Sequence, residues 1–336
     1  MKRFLLGSIK FTILFALGVC GVLVLLFSPA LQESFRLPAA ISAGLVLLLN
    51  LVGWPKIRAV RVAAYALIAT VAGLWLSIIP SNDKVWQDDV SKTPWGEVNG
   101  DTVTIHNVRN FTYRSENDYD VVYEDRTVQL SQLSEVDILV TYWAGKAIAH
   151  IMVSFGFNNQ DFIAFSIETR KEKGEAYSAV NGFFRNYELA YVAADERDVI
   201  ALRTNYRDPE ERVHVLRTRI ALDNGKLLFL DYVKKMNYLR DHPRFYNTLT
   251  TNCTTQVLDH AHSFGSTAAY NWQILLSGYV PEYLYENDVL MPGLSLDEIM
   301  RQSLVNEKAH QFASDPNFSA KIREGVPHPS PRAVSR

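Results

Sequence analysis

Cysteine is scarce. The 336-residue chain has two, Cys20 and Cys253, which excludes a disulfide framework as its source of stability. Metal-ligand spacings are lacking too: His260-x-His262 is the one close pair, and no metal or other cofactor is expected. No repeat of fixed period occurs. Positive charge is thin beyond residue 80, where 27 of the 34 basic residues meet 35 of the 36 acidic ones, a formal charge of −8. That balance lacks the basic footprint of a nucleic-acid binder.

What is present begins with three uncharged apolar runs, residues 11–28, 37–54 and 62–79. Each approaches the ~20 residues needed to cross a hydrocarbon core. A signal peptide would account for the first run alone, and no small-residue cleavage site follows it. Cys20 reads as a buried helix cysteine, since Val19 is too bulky for a lipoprotein signal. Lys2, Arg3 and Lys10 precede the first run, and Lys56, Arg58 and Arg61 lie between the second and third. The positive-inside rule then predicts three transmembrane helices, a cytoplasmic N-terminus, and an exported domain beyond residue 80.

The pattern divides the chain into a membrane domain (1–80), a linker (81–100), a globular domain (101–323) and a disordered, proline-containing tail (324–336). Strands are expected at 102–109, 127–130, 136–143, 147–157, 162–169, 198–204 and 212–216. Residues 227–237 fit helix or strand, and helices are expected after Cys253 and over 295–309. The fold class is α+β, a mostly antiparallel sheet with packed helices.

The segment 147–170 reads as a hairpin. One face is apolar (Ile151, Val153, Phe155; Ile163, Phe165, Ile167) and the other carries His150, Ser154, Ser166, Glu168 and Arg170. With a three-residue loop, Asn158 to Gln160, Phe157 opposes Asp161 and His150 falls opposite Glu168, their Cβ atoms about 5 Å apart. A carboxylate beside an imidazole orients the ring and favours its protonated form.

Cys253 stands where a helix should start, a position that lowers a thiol pKa. It is the candidate nucleophile, with His150 as base and Glu168 as orienting acid. Backbone N–H groups at the helix start, chiefly that of Cys253, are candidate oxyanion donors, with Asn252, Asn247 and Thr254 as supporting residues. His260 shares the helix face of Cys253 but lies seven positions on, ~10 Å along the axis, too far to be its base.

Blocks at His150 with Ser154-Phe155, at 166–172, 182–189 and 195–198, and Tyr246-Asn247-Thr248-Leu249-Thr250-Thr251-Asn252-Cys253-Thr254-Thr255 occur in an order that resembles the Lnb N-terminal periplasmic domain family. The resemblance implies a papain-like, permuted NlpC/P60-type fold with histidine first, acid next, and cysteine last at a nucleophile helix. It implies a thiol acyltransferase of the bacterial inner membrane working through a Cys253 acyl-thioester, with membrane lipids as surroundings and an acyl-lipid or lipoprotein as substrate. A cell-wall cysteine peptidase or amidase shares the same triad. A non-catalytic envelope binding module is the third reading.

Overall fold

The computed structural model describes residues 2–51, 58–143 and 145–332. The chain forms two compact units. One comprises the chain up to Ser81 with Ala176–Glu188 and Phe245–Thr248; the other comprises Asn82–Glu175, Leu189–Arg244 and the chain from Leu249 onward.

Three helices dominate the first unit: α1 (Lys2–Phe27), α2 (Glu33–Leu51) and α3 (Arg58–Ser77). They pack through Leu25, Ala40, Ala43 and Val71. Gly18 allows close approach of α1 and α2, since a Cβ there would lie 2.4 Å from a Leu47 methyl. The apolar runs 11–28 and 62–79 fall largely in α1 and α3. Among the described residues α3 alone is both long and apolar enough to cross a membrane, while α1 offers the shorter stretch Phe15–Phe27. Lys2, Arg3 and Lys10 lie in the first turns of α1, ahead of its uncharged stretch. The run 37–54 matches α2 as far as Leu51; its end and Lys56 lie outside the described residues. Among the described residues, one of the three expected spans is a clear candidate.

The second unit is mixed α+β. Its strands are β1 (Trp95–Asn99), β2 (Thr102–Arg109), β3 (Thr112–Ser115), β4 (Asp118–Asp120), β5 (Tyr123–Gln129), β6 (Leu133–Tyr142), β7 (Ala149–Phe157), β8 (Asp161–Arg170), β9 (Glu188–Asp195) and β10 (Arg212–Arg217). The main sheet runs β1-β2-β9-β8-β7-β6-β10 with β5 paired to β2, and β3 and β4 form a separate hairpin. Most neighbours are antiparallel, but β2 and β9 pair in parallel, so the sheet is mixed. The helices are α4 (Glu196–Ala201), α5 (Leu222–Asp241), α6 (Cys253–Ser263), α7 (Trp272–Leu275), α8 (Val280–Glu286), α9 (Leu296–Ser303), α10 (Asn306–Gln311) and α11 (Phe318–Ile322).

Both faces of the central hairpin are covered. Phe155 and Phe165 meet Phe229 and Tyr232 of α5, with ring centroids 5.1–5.9 Å apart. Edge-on aromatic pairs of this kind contribute about 0.5–1.5 kcal/mol each beyond area burial. On the other face Met152 and Ala164 share a core with Val199 and Ile200 of α4, Ala309 of α10, and Phe318 and Ile322 of α11. Ser154 on that face is not solvated but donates to Glu196 (2.7 Å).

The hairpin register is the one anticipated. Phe157 pairs with Asp161 and Met152 with Ser166. Asn158 and Asn159 take φ of +52° and +57° in the three-residue loop, a region asparagine tolerates better than most residues.

Three local expectations are corrected. Residues 198–204, expected as a strand, form α4 and a π-helical turn, Leu202–Tyr206; Asp195 caps α4 by accepting from the Arg197 N–H, and burial on all sides erases the periodicity that separates helix from strand. The segment 81–100 is not a linker from Asn82 on: Trp86 is buried, bridges to Glu172, and lies 4.5 Å beneath the Arg170 guanidinium, and β1 follows. Residues 324–332 are ordered without helix or strand: Val326 is buried and the Arg332 N–H donates to Arg219 O (2.9 Å). Residues 333–336 of the expected tail lie outside the described residues.

The ambiguous stretch 227–237 is helical, the middle of α5. Asp223-Asn224-Gly225, a turn-forming combination of residues, lies in its first turn. Gly225 lets that turn sit on β6, because a Cβ would lie 2.9 Å from Val136.

Candidate active site

Cys253 is the first residue of α6, and its neighbours explain why the helix begins there. Asn252 is extended (φ −123°, ψ −178°), and its side-chain oxygen accepts from Thr254 N (3.0 Å) and Thr255 N (2.9 Å). Thr255 Oγ1 accepts in return from Asn252 N (2.9 Å). Such reciprocal capping contributes about 1 kcal/mol and fixes the first residue in space. Thr254 and Thr255 N–H are thereby occupied, and Gln256 N–H bonds to Asn252 O. Asn252 therefore closes the helix end with its carbonyl oxygen, and the N–H of Cys253 itself is the backbone donor left for an oxyanion. Asn247 belongs to the Phe245–Thr248 segment of the first unit.

His150 enters from β7, where its residue pairs with Thr141 of β6. Its Nε2 lies 2.6 Å from Ser166 Oγ and 3.4 Å from Glu168 Oε1. Ser166 Oγ donates to Glu168 Oε1 (2.6 Å). A hydroxyl has one proton to give, so Ser166 accepts from His150 Nε2–H. That bond leaves Nδ1 for the thiol, and the Cys253 and His150 side chains interact closely enough to raise the imidazole pKa and lower that of the thiol. Thr254 Oγ1 stands 3.8 Å from Sγ. Cys253 is half-buried, and the His150 and Glu168 side chains are 14% and 27% exposed.

Arg203, from the π-helical turn, reaches Glu168 Oε1 with Nη2 (3.4 Å), and its side chain is buried. Its Nη1 donates to Val199 O (2.8 Å). The sequence reading missed Arg203 because its segment looked like a strand, and it placed Ser166 on the polar face without linking it to the imidazole. Sulfur, imidazole, carboxylate and guanidinium form a row of alternating charge.

That row decides the protonation states. Burial alone would lower the His150 pKa, but the Glu168 charge and hydrogen bonds to Cys253 and Glu168 outweigh it and hold it at about 9. Burial would raise the Glu168 pKa, yet His150, then Arg203 and Ser166, keep it well below the carboxylate range. For Cys253, burial acts upward, while His150, a backbone contact at Ile151 and the Thr254 hydroxyl bring the thiol below its ordinary value. These shifts favour a thiolate–imidazolium pair over the neutral thiol and imidazole.

Alkylation of Cys253 by iodoacetamide should therefore be faster near neutral pH than that of an ordinary thiol, and the ion pair should persist to an upper limit of about 9, where His150 loses its proton. Ser166→Ala should lower the neutral-pH rate about 10- to 100-fold, the 1.5–3 kcal/mol of a hydrogen bond to a charged group, and move the upper limit to lower pH. Rates from intact mass against pH, with far-UV circular dichroism as a fold check, measure both. An unaltered profile in Ser166→Ala would assign the hydroxyl no part in orienting the ring.

The other histidines are committed elsewhere. His260 is buried with Nδ1 2.7 Å from Asp231, Nε2 2.8 Å from Tyr191 OH, and its ring stacked 3.8 Å from that of Tyr232. His106 pairs with Asp125 at 2.8 Å and stacks on Trp95. His214 accepts burial between Met300 O and Ser303, which pushes its pKa down to about 4. Among the described residues no cluster of three or more His, Cys, Asp or Glu could hold a metal ion.

A cysteine at a helix N-terminus, beside a histidine that a half-buried carboxylate reaches, is the arrangement of a candidate thiol-nucleophile site on an α+β scaffold. Residues 119–278 match the family model of the Lnb N-terminal periplasmic domain. The matched segment contains Cys253, His150, Ser166, Glu168 and Arg203. No curated protein and no solved structure matches the chain.

Proposed function

We propose that the protein is a membrane-anchored periplasmic thiol acyltransferase that moves a fatty acyl chain through a Cys253 thioester, with the amino group of a lipoprotein as acceptor. The observation that carries this reading is the contact of the Cys253 thiol with His150, whose far nitrogen reaches Glu168 directly and through Ser166. The thiolate attacks the donor ester carbonyl, and the C–S bond forms as the oxyanion meets the Cys253 N–H. The ester C–O bond then breaks, and the His150 proton passes to the leaving alkoxide. An acceptor amine next attacks the thioester and gives its proton to His150, forming the amide and releasing the thiolate. Glu168, held ionised by Arg203, stabilises the imidazolium throughout.

The order histidine, acid, cysteine supports a permuted papain-like (NlpC/P60-type) arrangement. Inner-membrane anchoring with a cytoplasmic N-terminus is part of the proposal, with α1, α2 and α3 as spans. Supporting it, α1 and α3 both end in carbonyls bonded by one short loop, Arg185-Asn186, so the two helices run the same way. Basic residues cluster at the start of α1 and at the start of α3.

The full-length protein in detergent, incubated with phospholipid and a diacylated lipopeptide, should gain one hydroxylamine-labile acyl chain on the Cys253 peptide and yield N-acylated lipopeptide. Absence of any adduct at Cys253 overturns the proposal. Release of peptides from purified sacculi without an acyl adduct would replace it with the cysteine peptidase or amidase reading.

A further inference from the structure

Exposed loops are ordinarily polar, yet Ala176 to Phe184, in the first unit, contains no charged residue. Tyr177, Val180 and Phe183 are 49%, 46% and 41% exposed. The loop is nevertheless well held. Asn181–Phe183 form a short 3-10 turn, and Tyr187 is buried with its hydroxyl donating to Ala176 O (2.8 Å). Thr248 N donates to Gly182 O (3.3 Å) and Thr248 Oγ1 to Ala179 O (2.8 Å). A large apolar surface on an ordered loop marks a binding face.

What lies against that face follows from where the loop is fastened. Arg185, at φ +58°, donates from Nη1 to Trp75 O (2.8 Å) and Ile78 O (3.3 Å), and its guanidinium lies 4.8 Å from the Trp75 ring. Asn186 Nδ2 donates to Phe27 O (2.9 Å). Phe184 stacks on Phe27 at 5.4 Å and meets Trp75 edge-on at 6.3 Å. These carbonyls end α1 and α3, where intrahelical partners run out. The left-handed backbone at Arg185 costs about 1–2 kcal/mol, which these bonds offset.

We propose that Ala176–Phe184 is an interfacial membrane anchor that seats Tyr177, Val180 and Phe183 in the outer surface of the bilayer spanned by α3. This rests on the spanning part of the reading above. The end of a spanning helix lies at the bilayer edge, and a loop bonded to its last carbonyls lies there too. Aromatic side chains with an arginine, and no acid on the exposed face, suit that level of a membrane.

The test uses the full chain with Cys20→Ala and Cys253→Ala in phosphatidylcholine–phosphatidylglycerol liposomes, with an environment-sensitive dye on Val180→Cys. Tyr65→Cys on α3 and Val98→Cys on the globular unit, all exposed positions, serve as references. Val180 should be quenched several-fold more than Val98 by a lipid nitroxide near the headgroup, and less by aqueous iodide. Iodide quenching equal to that of Val98, with Tyr65 still quenched by a deep nitroxide, overturns the anchor and leaves the spanning helix intact. Iodide access to Tyr65 as well overturns both.

Discussion

Cys253→Ala should lower acyl transfer by at least about 10³-fold, and Cys253→Ser by nearly as much. Serine keeps the helix cap, the N–H donor and nearly the same volume, but His150 cannot hold a hydroxyl ionised near neutral pH as it holds the thiol. His150→Gln leaves the thiol in place and removes the partner that lowers its pKa, so its loss should be of the same order. Because the two side chains act as one ion pair, Cys253→Ala with His150→Gln should be no slower than either alone. Transfer from phospholipid to a diacylated lipopeptide, followed by mass spectrometry, measures all four variants. Losses that multiply in the double variant would show two independent contributions and sink the ion-pair account.

The site could be assembled from sequence only where local rules sufficed. Alternation in 147–170 and two asparagines at the turn set the β7–β8 register, and counting then placed His150 opposite Glu168. Asn252 before Cys253 is a favoured N-cap residue, and the helix begins as that predicts. Ser166 lay on the correct face, but that its hydroxyl bridges two partners depends on side-chain rotamers that no spacing encodes. Arg203 depends on the fold of a segment buried on every side, where Val199, Ile200 and Leu202 satisfy a strand as readily as a helix. The same loss of periodicity hid β9, whose Leu189 to Ala194 run is buried throughout in mid-sheet. Trp86 looked like a linker aromatic because the group it stacks on, Arg170, is distant in sequence.

The largest expected effect on stability lies away from the thiol. Arg323 is buried, donates from Nη1 and Nη2 to both Glu196 oxygens (2.7 and 2.6 Å) and from Nε to Asp137 (2.8 Å), and lies 3.9 Å from the Phe162 ring. Glu135 is 3.7 Å away and pairs with Arg217. Three buried carboxylates thus share two guanidinium groups. Burial and Glu135 push Asp137 up to about 6 against the pull of Arg323, whereas Arg323 holds Glu196 below its usual range despite burial. Arg323→Met should cost about 3–5 kcal/mol, since it strands buried carboxylates. For a domain of this size that is roughly 6–20 °C in Tm. The deficit has a definite pH sign. In the parent protein Asp137, raised above its unfolded value, already costs stability at neutral pH and stops doing so as pH falls below about 6. Without Arg323 the carboxylates titrate still higher, so the gap between variant and parent should narrow on acidification from pH 8 to 5. Glu196→Gln, which keeps the guanidinium and removes one charge, should cost less than Arg323→Met. Thermal melts of the full-length protein in detergent by far-UV circular dichroism decide it. A shift under about 2 °C that is the same at both pH values would mean that the cluster is solvated and adds nothing.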